Sequence, residues 1–203
     1  MSPARTPLGR TQTGIDTFVN KLELIARDTT RVPRLTRTDV ERAYTGAFLS
    51  FLTYYENAWE RLFLGLLVGT TTHPRPVVPL IEVRSAPIAR KVVTGRGRGY
   101  VDWLPADRSI DLAKIFLRGG RPFTDIPGGD KSILNRYMTV RNALAHDSHY
   151  ALDKFKRDVI QGHPLPPAEC RPAGYLRGSH TIGQTRMNLA LSELTLVMRR
   201  LCS

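Results

Sequence analysis

Apolar residues recur along this chain at helical spacing, and strand alternation is weak throughout. The longest periodic run, about seven turns from the start at Thr38, has Ala47, Phe48, Phe51, Leu52, Tyr55, Trp59, Leu62, Phe63 and Leu66 on one face. Thr38, followed three residues later by Glu41, has the form of a capping box at its start. Gly65 weakens the run locally, and Gly69 is a natural stop. The spacing of Phe18, Leu22 and Ile25 predicts a shorter helix from Ile15 to about Asp28, ended by the restriction that Pro33 places on its neighbour. Asp107 reads as the N-cap of a helix through Ile110, Ala113, Ile115 and Phe116, stopped by Gly119 and Gly120.

A further helix is expected from about Lys131. Ile133, Tyr137, Val140 and Leu144 form its buried stripe, and Asn135, Thr139, Asn142 and His146 form a polar stripe of the same spacing. Tyr150 to Ile160 follows with Leu152, Phe155 and Val159 inward. The last helix runs from about Thr185 to Leu201 over Met187, Leu191, Leu194, Met198 and Leu201. The segments "TTTHPRPVVP" and "GHPLPPAECRPAGYLRG" are proline-punctuated loops, and "YVDWLP" suits a short extended piece. The pattern therefore predicts an all-α fold, an antiparallel helical bundle with extra N- and C-terminal helices. Residues 1–14 form a basic flexible tail, and 15–203 a single helical domain.

Charge narrows the function. Thirty Lys and Arg face eighteen Asp and Glu, for a net +12 over 203 residues, and such an excess attracts polyanions, nucleic acid above all. The two cysteines, Cys170 and Cys202, make no CxxC pair, so a reducing cytoplasm is expected. The first residues lack the apolar stretch of a secretory signal, and "LFLGLLVG" is too short to span a bilayer, so no membrane partner is expected.

The five histidines form no HExxH motif or Cys/His cluster, so neither a metal nor another cofactor is expected. There is no GxSxG elbow. Gly95, Gly97 and Gly99 lack the spacing of a nucleotide-binding loop. Arg90, Lys91, Arg96 and Arg98 lie in a stretch without acids between Val83 and Val101, which fits either a loop gripping a phosphate backbone or a plain solvated one. No helix shows a turn-helix with base-reading residues, which argues against a helical DNA-binding protein.

The remaining motif is "RNALAH", Arg141 to His146, late in its helix. Asn142 and His146 are four apart and share a face, and the long side chain of Arg141 can swing toward it. Guanidinium, carboxamide and imidazole on one surface suit phosphodiester chemistry. A solvated polar stripe ending in a histidine that suits the negative helix end would look the same.

With "FLTYYENAWERLF" on the preceding long helix, this segment resembles the HEPN superfamily, small α-helical domains that include many metal-independent ribonucleases. Their signature is R-x4-6-H with a polar residue, often Asn, after the Arg. The resemblance covers about Val40 to Val159. It maps the signature onto Arg141, Asn142 and His146 and makes Glu56 the acidic residue of the earlier helix. "YVDWLPADRSIDLAKIFLRGGRPF" looks like the corresponding segment of the prokaryotic toxin and defence branch. The resemblance implies cleavage of RNA by a homodimer, and a neutralising antitoxin partner such as a nucleotidyltransferase. The alternative is a non-catalytic HEPN-like bundle that binds RNA or a partner protein.

Overall fold

The computed structural model describes residues 5–30, 32, 34–95, 101–146 and 148–203. The described chain is mostly helical: α1 Arg5–Arg27, α2 Arg37–Val68, α3 Ala86–Thr94, α4 Ala106–Phe116, α5 Gly128–Ala145, α6 His149–Phe155, α7 Pro172–Arg177 and α8 Arg186–Leu201. A small antiparallel hairpin, β1 Ser179–Thr181 and β2 Gln184–Thr185, turns at Gly183, whose φ of 78° suits glycine. Contacts divide the chain into two compact units. The first comprises Met1–Gly9, Tyr54–Asn135 and Leu194–Ser203; the second comprises Arg10–Thr53 and Arg136–Glu193.

In the first unit an aromatic cluster forms around α2. The ring of Phe63 lies 5.0 Å from Trp103 and 5.3 Å from Phe123, and Trp59 lies 5.7 Å from Phe123. Each such side chain contributes about 1.5–3 kcal/mol on burial. Gly65 is explained here. A Cβ at that position would lie 2.1 Å from Thr71 Oγ1, where the chain folds back and Thr71 N–H donates to the Gly65 carbonyl at 3.0 Å. Asp130, almost fully buried, receives two hydrogen bonds from Arg200 of α8. His73 bonds the Leu201 carbonyl through Nε2 at 3.1 Å, so it fastens the proline-rich loop to the end of α8.

The second unit buries Val19 of α1, Tyr44, Phe48, Phe51 and Leu52 of α2, Tyr137, Val140 and Ala143 of α5, Phe155 of α6, and Met187, Ala190 and Leu191 of α8. Ion pairs join its distant segments. Arg177 donates to both Glu23 carboxylate oxygens, at 2.8 and 3.1 Å, and Arg186 donates to Glu169 at 2.6 Å while lying over the Tyr175 ring. That second pair runs across Gly178, where a Cβ would meet Arg186 Nη1 at 2.0 Å. α6 continues as a π-helical turn, Lys156–Ile160, ended by Gln161 in the left-handed region.

Several boundaries differ from the expectation. α1 begins at Arg5, so residues 5–14, expected to be a flexible tail, are helical. Pro7 is tolerated in a first turn, where its missing N–H would have had no helical partner, and Leu8 is buried. α3 occupies a segment with no helical assignment from sequence, and the N-cap of α4 is Pro105, with Asp107 in the first turn. α4 also ends at Phe116, before Gly119 and Gly120, because Leu80 N–H bonds the Phe116 carbonyl and Arg118 N–H bonds the Val78 carbonyl in an antiparallel bridge. α5 starts three residues before Lys131, and its buried line is Leu134, Tyr137, Val140 and Ala143. Ile133 and Leu144 are only half-buried, and Thr139 is buried.

The cap of α2 also moves. Thr36 Oγ1 accepts from Asp39 N–H at 3.2 Å, and the Asp39 carboxylate accepts from Thr36 N–H at 2.9 Å and from its hydroxyl at 2.6 Å. Thr38 is not the cap, and Glu41 pairs instead with Arg37 at 2.6 Å. Chemical denaturation is therefore expected to show Thr36→Ala destabilised by about 1 kcal/mol. Thr38→Ala, lying just inside the helix, should stay within about 0.5 kcal/mol of the parent. Equal losses in the two variants would contradict this cap.

Candidate functional site

The second-unit part of α5 carries the Arg141–His146 segment, and its orientation is fixed one turn earlier. Arg136 Nη2 donates to Glu193 of α8 at 2.7 Å, the Tyr137 hydroxyl donates to the same carboxylate oxygen, and the Arg136 guanidinium lies 4.9 Å from the centre of the Tyr137 ring. Phe48 of α2 packs edge-on against Tyr137 at 6.2 Å. Burial raises the Tyr137 pKa above its ordinary value, so the phenol stays a proton donor. Burial opposes the charge on Arg136, but Tyr137 and Glu193 outweigh it and raise its pKa. The sequence does not reveal this clamp: Tyr137 fits the apolar stripe, and no sequence signal ties it to Glu193.

Arg141 is half-buried, and its Nη1 donates to the Asn142 carboxamide oxygen at 3.1 Å. The Asn142 backbone carbonyl accepts from His146 N–H at 2.9 Å. Asn142 thus steadies the guanidinium with its side chain and holds the residue after the helix with its backbone. The His146 side chain is exposed, and among the described residues its ring has no hydrogen-bond partner. α6 begins three residues later. Its N-cap Ser148 accepts from Ala151 N–H at 3.2 Å, leaving His149 and Tyr150 exposed on the first turn.

One contrast marks Arg141. Among the described residues, the other half-buried arginines each have a carboxylate: Arg108 has Asp102 at 3.9 Å, Arg136 has Glu193, Arg177 has Glu23 and Arg186 has Glu169. Arg141 has only a neutral carboxamide. Among the described residues its charge meets no carboxylate, where the other half-buried arginines each do, and a guanidinium carries more N–H donors than one carboxamide oxygen can accept.

Glu56 is half-buried on α2 and belongs to the first unit, whereas Arg141, Asn142 and His146 belong to the second. Arg90 and Lys91 are exposed on α3 of the first unit. Although its own segment has no acids, Arg90 pairs with Glu60 of α2 at 2.8 Å. Arg96 and Arg98 lie outside the described residues. Among the described residues no group of three or more His, Cys, Asp and Glu could hold a metal ion, and no helix is long and apolar enough to cross a membrane. No family model matches the chain, and neither the curated proteins nor the solved structures contain a match.

Proposed function

We propose that this chain is a metal-independent endoribonuclease whose reacting groups are Arg141, Asn142 and His146. The observation that carries the reading is the half-buried guanidinium of Arg141, which has no carboxylate partner among the described residues, five residues before the exposed imidazole of His146. Their agreement with the HEPN signature supports it, as does a mostly helical chain, read here as a HEPN-like antiparallel bundle. A net charge of +12 would draw RNA to the protein.

The 2′-hydroxyl of RNA attacks the adjacent phosphorus, the 2′-O–P bond forms and the P–5′-O bond breaks. The products are a 2′,3′-cyclic phosphate and a free 5′-hydroxyl. His146 takes the 2′ proton or gives one to the leaving 5′ oxygen, the general acid–base work for which imidazole side chains are most often used. Arg141 pairs with the scissile phosphate and stabilises the charge that grows on it. Asn142, already bonded to Arg141, keeps the guanidinium aimed. DNA lacks the nucleophile and resists.

A single histidine leaves one protomer an acid–base group short, so the reading includes a two-fold dimer in which the partner's His146 supplies the second proton transfer. The reading also places the protein in the cytoplasm as a toxin or anti-phage defence effector, with an antitoxin such as a nucleotidyltransferase as its neutralising partner.

Three experiments test this. Because His146 is exposed, His146→Ala is expected to change folding stability by no more than about 0.5 kcal/mol. The same change should lower cleavage of RNA at least about a hundredfold while RNA binding survives. Arg141→Ala should do similar damage, Arg141→Lys should rescue it poorly because ammonium lacks the planar fork, and His149→Ala should be mild. Normal cleavage by the His146 variant, or activity that depends wholly on added divalent metal, would end the proposal. Retained binding with no cleavage by the parent protein would favour a binding module.

Light scattering at micromolar concentration is expected to give about twice the chain mass of 22.8 kDa. A strict monomer that still cuts RNA would rule out the shared site.

Replacing Arg96 and Arg98 together with Ala is expected to weaken RNA binding and to flatten its salt dependence by a slope of roughly one per lost contact. An unchanged slope would put the RNA elsewhere.

A further inference from the structure

A cleft of about 570 Å³ opens in the second unit, and none of its lining residues belongs to the Arg141–His146 segment. Its walls come from segments far apart in sequence. Asn20, Glu23, Leu24 and Arg27 follow one another at helical spacing and give α1 one face toward the cleft. The hairpin supplies Ser179 and Gln184 opposite them, and Tyr44 and Arg177 complete the lining.

Some of these groups are already committed to the fold. Arg177 neutralises Glu23 through two hydrogen bonds. Burial works against the Glu23 charge, but Arg177 outweighs it and lowers the pKa, so Glu23 remains a carboxylate at neutral pH. Tyr44 is fully buried, and burial, followed by the Glu23 charge, keeps its phenol protonated. Thr185 and Asn188 bond each other in the cap of α8.

Others are uncommitted. Arg27 is exposed and, among the described residues, has no ion pair, although its charge is felt at Glu23. The Asn20 carboxamide likewise has no hydrogen bond among them, and Gln184 receives only a long contact of 3.5 Å from the Thr181 hydroxyl. Leu24 is 69 % exposed beside these polar groups.

The cleft therefore offers a guanidinium with no ion pair among the described residues, two carboxamides that each donate and accept, and an apolar surface, in a volume within the range of small-molecule sites. A guanidinium suits a phosphate; paired donor and acceptor groups suit the edge of a nucleobase, and an apolar side chain suits its face. We infer that this cleft binds a nucleoside monophosphate, with the phosphate on Arg27 and the base against Leu24 within reach of Asn20 and Gln184. The site is separate from the proposed ribonuclease centre and stands or falls without it. The same chemistry is carried by a free nucleotide and by the phosphorylated end of an RNA strand.

Isothermal titration of the full chain with AMP, GMP, CMP and UMP, beside inorganic phosphate and the four nucleosides, tests the inference. At least one monophosphate is expected to bind with a submillimolar Kd, with phosphate alone and the matching nucleoside each at least about tenfold weaker. Arg27→Ala should weaken that binding about tenfold or more, Asn20→Ala by less, and His146→Ala not at all. Both Arg27 and Asn20 are exposed, so these variants should fold. Competition by a 5′-phosphorylated tetraribonucleotide supports the site with an RNA end as its source; binding without such competition supports it with the free nucleotide. The inference is overturned if no monophosphate binds at millimolar concentration, if phosphate alone binds as tightly, if Arg27→Ala binds normally, or if His146→Ala abolishes binding.

Discussion

A guanidinium withdrawn from water must find a counter-charge or strong acceptors, and this chain has far more cations than acids to provide them. Several of its carboxylates meet arginines from segments distant in sequence. Glu23 of α1 holds Arg177 of α7, Glu193 of α8 holds Arg136 of α5, and Asp130 of α5 holds Arg200 of α8. Removing one partner would leave a stranded charge, which costs more than the intact pair contributes. These pairs therefore specify which helix faces which more than they add to stability.

The same constraint gives Arg141 its meaning. It is withdrawn from water like Arg136 and Arg186, yet its partner is an uncharged carboxamide. Under the proposed function, that charge is kept for an anion that is not part of the fold. The neighbouring clamp of Arg136, Tyr137 and Glu193 anchors α5 a turn earlier, so the guanidinium is carried on a fixed helix end. Preorganised cations of this kind stabilise developing negative charge with little reorganisation during reaction.

Long periodic helices were legible because their burial needs only one continuous face. α8 runs from Arg186 to Leu201 and buries all five residues expected of it, and the α2 stripe from Phe48 to Leu66 is buried throughout. Short elements were not. α3 has nine residues, and its inward positions are Ala89 and Val93, too brief a pattern to register. The α2 cap moved from Thr38 to Thr36 because two overlapping sequences both fit a capping box, and only the backbone geometry selects one.

For the candidate site, sequence alone determined that Arg141, Asn142 and His146 lie at the end of one helix, because a spacing of four or five residues fixes their neighbourhood once the helix exists. It also determined the excess of positive charge. The tertiary structure decided which of those charges are free. Arg90 stands in a segment without acids, yet Glu60, thirty residues earlier, pairs with it. Among the described residues Arg141 is left without a carboxylate, and the cleft containing Arg27 is assembled from α1, the hairpin and the residues around Tyr44 and Arg177. Charge pairing acts through space over a few ångströms, so beyond the i,i+3 and i,i+4 neighbours of a helix the linear sequence does not reveal it.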